Sequence, residues 1–380
     1  MRSLWALLLL PLVVGGLAWP IPFGSRSPAP TAAAGAPAKA GSRDPAGSQP
    51  FVLSNYVWMD ERNMAKIGEA NSTVQLFCHH LESVLRNAGV SHRLVGWGSK
   101  IAFTGYKEKI AEAHQLAKSL PPDTILAMVD AFDVLVQESL NISAVAHTLR
   151  TKYPRQMVFA AEGKCYPLSR RRYANGKACD DYPKSPLGEY SRYLNGGSWI
   201  GFASDVAEVT KMFLDQLKGW DKNLFHPTAF RRVVTKLPTI LNAAAQDQYG
   251  MAVMYLYARE RRVSVDIESD IFVCDSGFIE MRGSWRRMKV DVTGFLRDTL
   301  TDRIPPIIHF NAGKNKFKDA VFRMPWVTQR ARYPSIGDKS MVTTSVDNPN
   351  GGTVLFRDIC SDRWAEHVKA AAWSPKRRGV

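Results

Sequence analysis

From Phe51 to Asp130, short apolar runs alternate with helix-patterned stretches, and few architectures accept that alternation. "FVLSNYV" reads as a strand. "STVQLFCHHLESVLRNAGV" places Val74, Phe77, Cys78, Leu81 and Leu85 on one helical face. "HRLVGW" predicts a second strand, "KEKIAEAHQLAKSL" a second helix and "TILAMVD" a third strand. Strands separated by helix-length crossovers pair in parallel, so the order predicts a parallel α/β sheet. In such sheets ligands sit beyond the carboxyl ends of the strands.

Acids stand at those ends. The third strand finishes on Asp130, and Asp133 comes three residues later in "VDAFDVLV". Two carboxylates facing one point repel unless a divalent cation joins them. The plainer reading is that such acids cap the next helix. "QMVFAA" is another strand, with Glu162 just after it. In "RYLNGGSWIGFA" the run Asn195, Gly196, Gly197 precedes the strand-like "SWIGFA". Paired glycines let a ligand approach the backbone, although Asn-Gly also suits an ordinary hairpin. Asp247 and Gln248 open the periodic "QDQYGMAVMYLYA", where an acid also serves as a favourable first-turn charge. "IPPIIHFNAGKNK" ends a strand on His309 and then presents Asn311, Gly313 and Lys314, the pattern of a metal ligand beside an anion cradle.

With 380 residues, 45% of them hydrophobic, the chain can bury a large core. Its net charge of +15 favours anionic partners. Nucleic acid is not among those expected, because the basic clusters "SRRRY" and "SPKRRGV" carry no interleaved stacking aromatics. Residues 1–18 read as a secretory signal peptide: Arg2, then an apolar core from Leu4 to Val14, too short for a stable membrane span. Residues 19–50, rich in Pro, Ala and Gly, read as a disordered stem. The expected location is the secretory pathway (endoplasmic reticulum or Golgi lumen) or outside the cell. The sequons at Asn71 and Asn141 fit that, as glycosylation sites. Five cysteines leave at least one thiol unpaired within the chain. Cys165 and Cys179 flank a polar loop and make the best intrachain pair.

Taken in order, "VDAFDVLV", "AAEGKCYP", "RYLNGGSWIGFA", "QDQYG" and "IIHFNAGKNK" resemble the glycosyltransferase domain of procollagen lysyl hydroxylases and their stand-alone relatives. The resemblance runs from Phe51 to about Pro325. It implies a GT-A type nucleotide-sugar-binding fold over residues 51–330, Rossmann-like, with a mixed, mostly parallel sheet flanked by helices. Residues 331–380 would be an extension of unknown role. It also implies Mn²⁺ and a UDP-sugar, and transfer of glucose or galactose, with retention, to hydroxylysine or glycosylated hydroxylysine on a collagen-like protein. By the resemblance Asp130, Asp133 and His309 hold the metal, Phe132 stacks on uracil and Lys107 lies near the diphosphate. Asn195, Gly196, Gly197, Asn311, Gly313 and Lys314 fall on the donor side. Glu162, Tyr166, Asp247 and Gln248, with Asn195, line the sugar and acceptor region. Three departures stand out: a single acid before Gln248, Tyr166 where the family has Trp, and "LNGGSW" in place of a Ser-Gly-Gly order. They touch acceptor identity more than donor chemistry. No iron or 2-oxoglutarate chemistry is expected, because the H-x-D/E match His80-Leu81-Glu82 falls within a helix. The alternatives are a GT-A transferase with another UDP-sugar or acceptor, and a secreted binding module without turnover.

Overall fold

The structure, a computed structural model, describes residues 50–60, 72–87, 89–99, 107–138, 140–169, 177–218, 224–225, 247–275, 287–311, 320–321, 324, 335–345 and 348–360. The expected signal peptide and nearly all of the stem lie outside the described residues. So do Asn71, Gly313, Lys314 and most of the basic clusters.

The alternation read from the sequence folds as strand β1 (Phe51–Asp60), helix α1 (Ser72–Leu85), strand β2 (Ser91–Ser99), helix α2 (Lys107–Ser119) and strand β3 (Ile125–Asp130). Strand β4 (Val134–Val136), helix α3 (Ile142–Lys152) and strand β5 (Met157–Glu162) come next. After them are strand β6 (Tyr193–Phe202), helix α4 (Ala203–Lys218), helix α5 (Asp247–Tyr257), and strands β7 (Val263–Asp266) and β8 (Phe272–Cys274). A small hairpin of β9 (Met288–Val290) and β10 (Leu296–Asp298) precedes β11 (Ile307–His309). Strands β12 (Ser340–Ser345) and β13 (Asn348–Leu355) and the short helix α6 (Phe356–Ile359) close the described chain.

Among the described residues eight strands form one sheet in the order β13-β12-β2-β1-β3-β6-β5-β7. The pairs β12–β2, β2–β1, β1–β3 and β5–β7 are parallel; β6 runs antiparallel to both its neighbours, and β13 to β12. The sheet is thus mixed and mostly parallel, flanked by helices. β3 is nearly wholly buried, as its unbroken apolar run requires of a central strand. Core side chains pack on both faces, with Trp199, Phe159 and Tyr249 in one cluster and Leu53, Val129 and Ile200 in another.

A second sheet, β4-β11-β8, receives the chain as it leaves β3. β11 is antiparallel to β4 and parallel to β8, with His309 opposite both Val134 and Cys274. Residues 331–380, expected as an extension of unknown role, include β12 and β13, which lengthen the main sheet beside β2. A disulfide from Cys360 to Cys78 on α1 fastens that end. No described helix is long and apolar enough to cross a membrane.

Candidate functional site

The turn Ala131–Asp133 joins β3 to β4 and is held from three sides. Ala131 N–H donates to the Tyr56 carbonyl, Phe310 N–H donates to the Asp133 carbonyl, and the buried His80 ring reaches the Val134 carbonyl at 2.6 Å. His80 also contacts Asn55 Oδ1, while Glu82 pairs with Arg86; the H-x-E match is therefore built into the fold. With the turn fixed, Asp130 and Asp133 meet His309, which arrives on β11. One ligand atom from each of the three lies within 4.8 Å of the others.

The donor set fits a divalent cation. Gly197 N–H donates to Asn195 Oδ1, which identifies that atom as the amide's acceptor oxygen. His309 Nδ1 lies 2.8 Å from the same oxygen and so carries a proton. That leaves Nε2, 3.3 Å from Asp133 Oδ1, as the metal-facing nitrogen. Burial alone lowers the His309 pKa, but the Asp133 carboxylate outweighs it and holds the ring well above the ordinary histidine value. A cation among two carboxylates and one imidazole would take the place of that proton.

The glycines answer to crowding. Asn195, Gly196 and Gly197 lie inside β6, not before it, so neither the expected lead-in nor the hairpin describes them. Pairing with β5 skips from Phe159–Trp199 to Ala160–Asn195, leaving Gly196, Gly197 and Ser198 as an irregularity on the β5 side. A Cβ on Gly197 would meet Asp130 Oδ2 at 2.7 Å and His309 Nδ1 at 2.8 Å. A Cβ on Gly196 would meet the Gln248 Cβ at 2.9 Å. Strand and donors approach this closely only because both positions lack side chains.

A second group lies beside the first. Glu162 ends β5 and is 1% exposed. Gln248 Nε2 donates to Glu162 Oε1 at 2.6 Å, and Asn311 Nδ2 donates to Oε2 at 2.6 Å. Gln248 Nε2 also reaches the carbonyls of Tyr166 and Leu194. Burial pushes the Glu162 carboxyl up to about 7, against amide hydrogen bonds from Gln248, Asn195 and Asn311 that favour its ionised form. The disulfide Cys165–Cys179 closes the segment that carries Tyr166.

The residue that joins the two groups was not read from the sequence. Lys109 on α2 is 1% exposed. Its Nζ donates to Asp130 Oδ1 and to the Gly196 carbonyl, both at 2.8 Å, and lies 3.5 Å from Asp247 Oδ2. Asp247 also accepts Gln248 N–H at 2.7 Å. Burial raises the Asp247 pKa to about 6, with Lys109 opposing and Asp130 reinforcing the shift. Lys107, the lysine singled out by resemblance, is the first residue of α2, and its side chain lies outside the described residues. Phe132 sits half-buried in an aromatic row, 5.7 Å from Phe77, itself stacked on Trp97. Asn141 caps α3, its side chain accepting the Ala144 N–H. Cys274, the described cysteine outside a disulfide, is buried beside His309.

A mostly parallel α/β sheet with two acids at the carboxyl end of a central strand, and an imidazole closing on them, is consistent with a GT-A-like glycosyltransferase domain. The comparisons point the same way. A family model described as the PLOD GT domain (GT for glycosyltransferase) matches residues 86–231. The chain is also similar to a procollagen-lysine,2-oxoglutarate 5-dioxygenase of Drosophila melanogaster, at 28% identity over 115 residues. That stretch is 26% of this chain and only 14% of the relative. The matched family segment contains Lys109, Asp130, Asp133, Glu162 and Asn195–Gly197. Asp247, Gln248, His309 and Asn311 lie outside it and join the site through the fold.

Proposed function

We propose that this chain is a metal-dependent glycosyltransferase that moves a hexose, glucose or galactose, from a UDP-sugar to a hydroxylysine-type acceptor on a collagen-like protein, with retention. One observation carries the reading: Asp130, Asp133 and His309 converge at the carboxyl end of β3. Those residues would hold Mn²⁺, which oxygen donors with one imidazole suit. Bound there, the ion would neutralise charge developing on the departing diphosphate.

The chain's own residues supply the rest. Lys109 neutralises Asp130 and Asp247 together and fixes the Asp130 carboxylate, which makes it a positioning residue. Phe132 offers a ring for the uracil base. Glu162 is held by the amides of Gln248, Asn195 and Asn311 and can keep or release a proton at Oε near neutral pH, suiting it to the acceptor side. Asp247 accepts sugar hydroxyls or orients the acceptor. In the transfer the acceptor oxygen bonds the anomeric carbon, the bond to UDP breaks with its electron pair, and the acceptor proton passes to the departing diphosphate. Two disulfides suit an oxidising compartment, and we place the protein in the secretory pathway.

The test is release of UDP from UDP-glucose and UDP-galactose with Mn²⁺, with and without hydroxylysine or galactosylhydroxylysine. Release should stop with excess EDTA and in Asp133→Asn, whose folding is checked by circular dichroism. Full turnover in excess chelator would overturn the metal reading. Failure to bind any UDP-sugar would overturn the transferase reading.

A further inference from the structure

A cavity of about 590 Å³ lies along β7, away from the metal donors. β7 ends the main sheet and, among the described residues, has β5 on one side only. Met157 N–H donates to the Arg262 carbonyl, so ladder alternation turns the peptide groups of Val263 and Val265 away from β5. On that far side the described backbone bond is local, from Ile267 N–H to the Val265 carbonyl. Val263, Val265 and Ile267 line the cavity, with Tyr255 giving it an aromatic wall.

Charge at the cavity is uneven. Its acids are engaged: Asp181 accepts the Tyr257 hydroxyl, and Glu268 pairs with Lys152 at 2.9 Å. Arg259 and Arg261 line the same cavity and are exposed; Arg259 Nε donates to the Phe225 carbonyl at 3.2 Å, and no described carboxylate pairs with either. The edge also points towards the candidate site. β7 is parallel to β5, Asp266 pairs with Ala160, and Glu162 stands two residues further along. With strands ~4.8 Å apart, a strand added beside β7 would run about 10 Å from β5 and leave the sheet at the level of Glu162.

We infer that the edge of β7 left open among the described residues is a docking site for an extended, acidic polypeptide segment, which adds as a strand and sets carboxylates against Arg259 and Arg261. Main-chain bonds would supply affinity, and the cavity would take alternate side chains. Naming that polypeptide the acceptor rests on the proposed transferase function; the docking does not.

The probe is a fluorescein-labelled peptide of four Glu-Val repeats, titrated by anisotropy against the full chain. Val265→Pro removes an outward N–H and leaves the bonds to β5 in place. It should weaken binding at least tenfold. The single variant Arg261→Glu changes an exposed side chain that makes no described hydrogen bond and should do the same, guarding against misfolding of the proline variant. A four Lys-Val peptide should bind the wild type at least tenfold more weakly. Absence of binding, or equal binding by wild type and the charge-reversed variant, would overturn the proposal. UDP binding with Mn²⁺, measured on the same samples, reports separately on the transferase reading.

Discussion

Gly197 shows how little freedom the site allows at single residues. Its missing side chain is what lets Asp130 and His309 close on β6, and the atoms a Cβ would strike belong to the candidate metal donors themselves. Gly197→Ala should therefore lower Mn²⁺ affinity by at least tenfold, read by calorimetry, with the fold kept. Wild-type affinity in that variant would mean the donors can spread without loss. Glu162 gives a pH signature. Its folded pKa, pushed by burial to about 7, lies above the 4.5 of a free carboxyl. The folded state then binds more protons than the unfolded state between those values, so this group's stability contribution is full below about pH 4.5 and is lost as pH rises through about 7. Urea unfolding in EDTA at pH 5 and pH 8 should show wild type losing more stability on the way up than Glu162→Gln. Equal losses would show that the amides, not burial, set the ionisation of Glu162.

At the scale of elements, the alternation up to Asp130 was legible because each amphipathic helix and apolar strand carries its own period, whatever its partners. The acids were legible because strand ends are where such a sheet puts ligands. Lys109 was not. It stands two positions from Lys107, and residues two apart lie about 200° apart around a helix, so which lysine faces the strand ends depends on packing against the sheet. β12 and β13 were equally hidden: "SMVTTS" and "NPNGGTVL" carry weak apolar patterns, and their pairing is set by the open edge of β2. Helix α5 offers a test at this scale. Gly250 abuts the Phe213 ring of α4; an added Cβ would overlap that ring, with Cδ2 at 2.9 Å. Gly250→Ala should push α5 off α4, costing about 1–3 kcal/mol as overpacking does. It should also slow turnover, because Asp247 and Gln248 ride on the same helix. Phe213→Leu in that background should recover part of both losses in denaturant titration and UDP release. No recovery would place the strain elsewhere.

At the scale of the whole molecule, two disulfides tie very different lengths of chain. Cys165–Cys179 closes a separation of 14 residues and steadies the segment beside Glu162. Cys78–Cys360 closes 282 residues and joins α1 to the end of the described chain. No local pattern could announce that second pair, since its partners meet only after β12 and β13 have docked on β2. Cross-linking restricts the unfolded chain more as the loop lengthens, by about 3 kcal/mol for the short loop and about 5.6 kcal/mol for the long one in the chain-entropy model. α1 also carries Phe77 against Phe132 and His80 against the Val134 carbonyl, so the long disulfide supports the helix that steadies the acidic turn. Cys360→Ser should therefore lower the thermal midpoint more than Cys179→Ser. The folded Cys360→Ser protein should still bind Mn²⁺, because no metal donor lies on the segment it releases. Thermal unfolding of both variants without reductant, with Mn²⁺ calorimetry below the transition, is the measurement. A larger loss from Cys179→Ser would mean that native contacts around the short loop, rather than restriction of the unfolded chain, dominate the contribution of these cross-links.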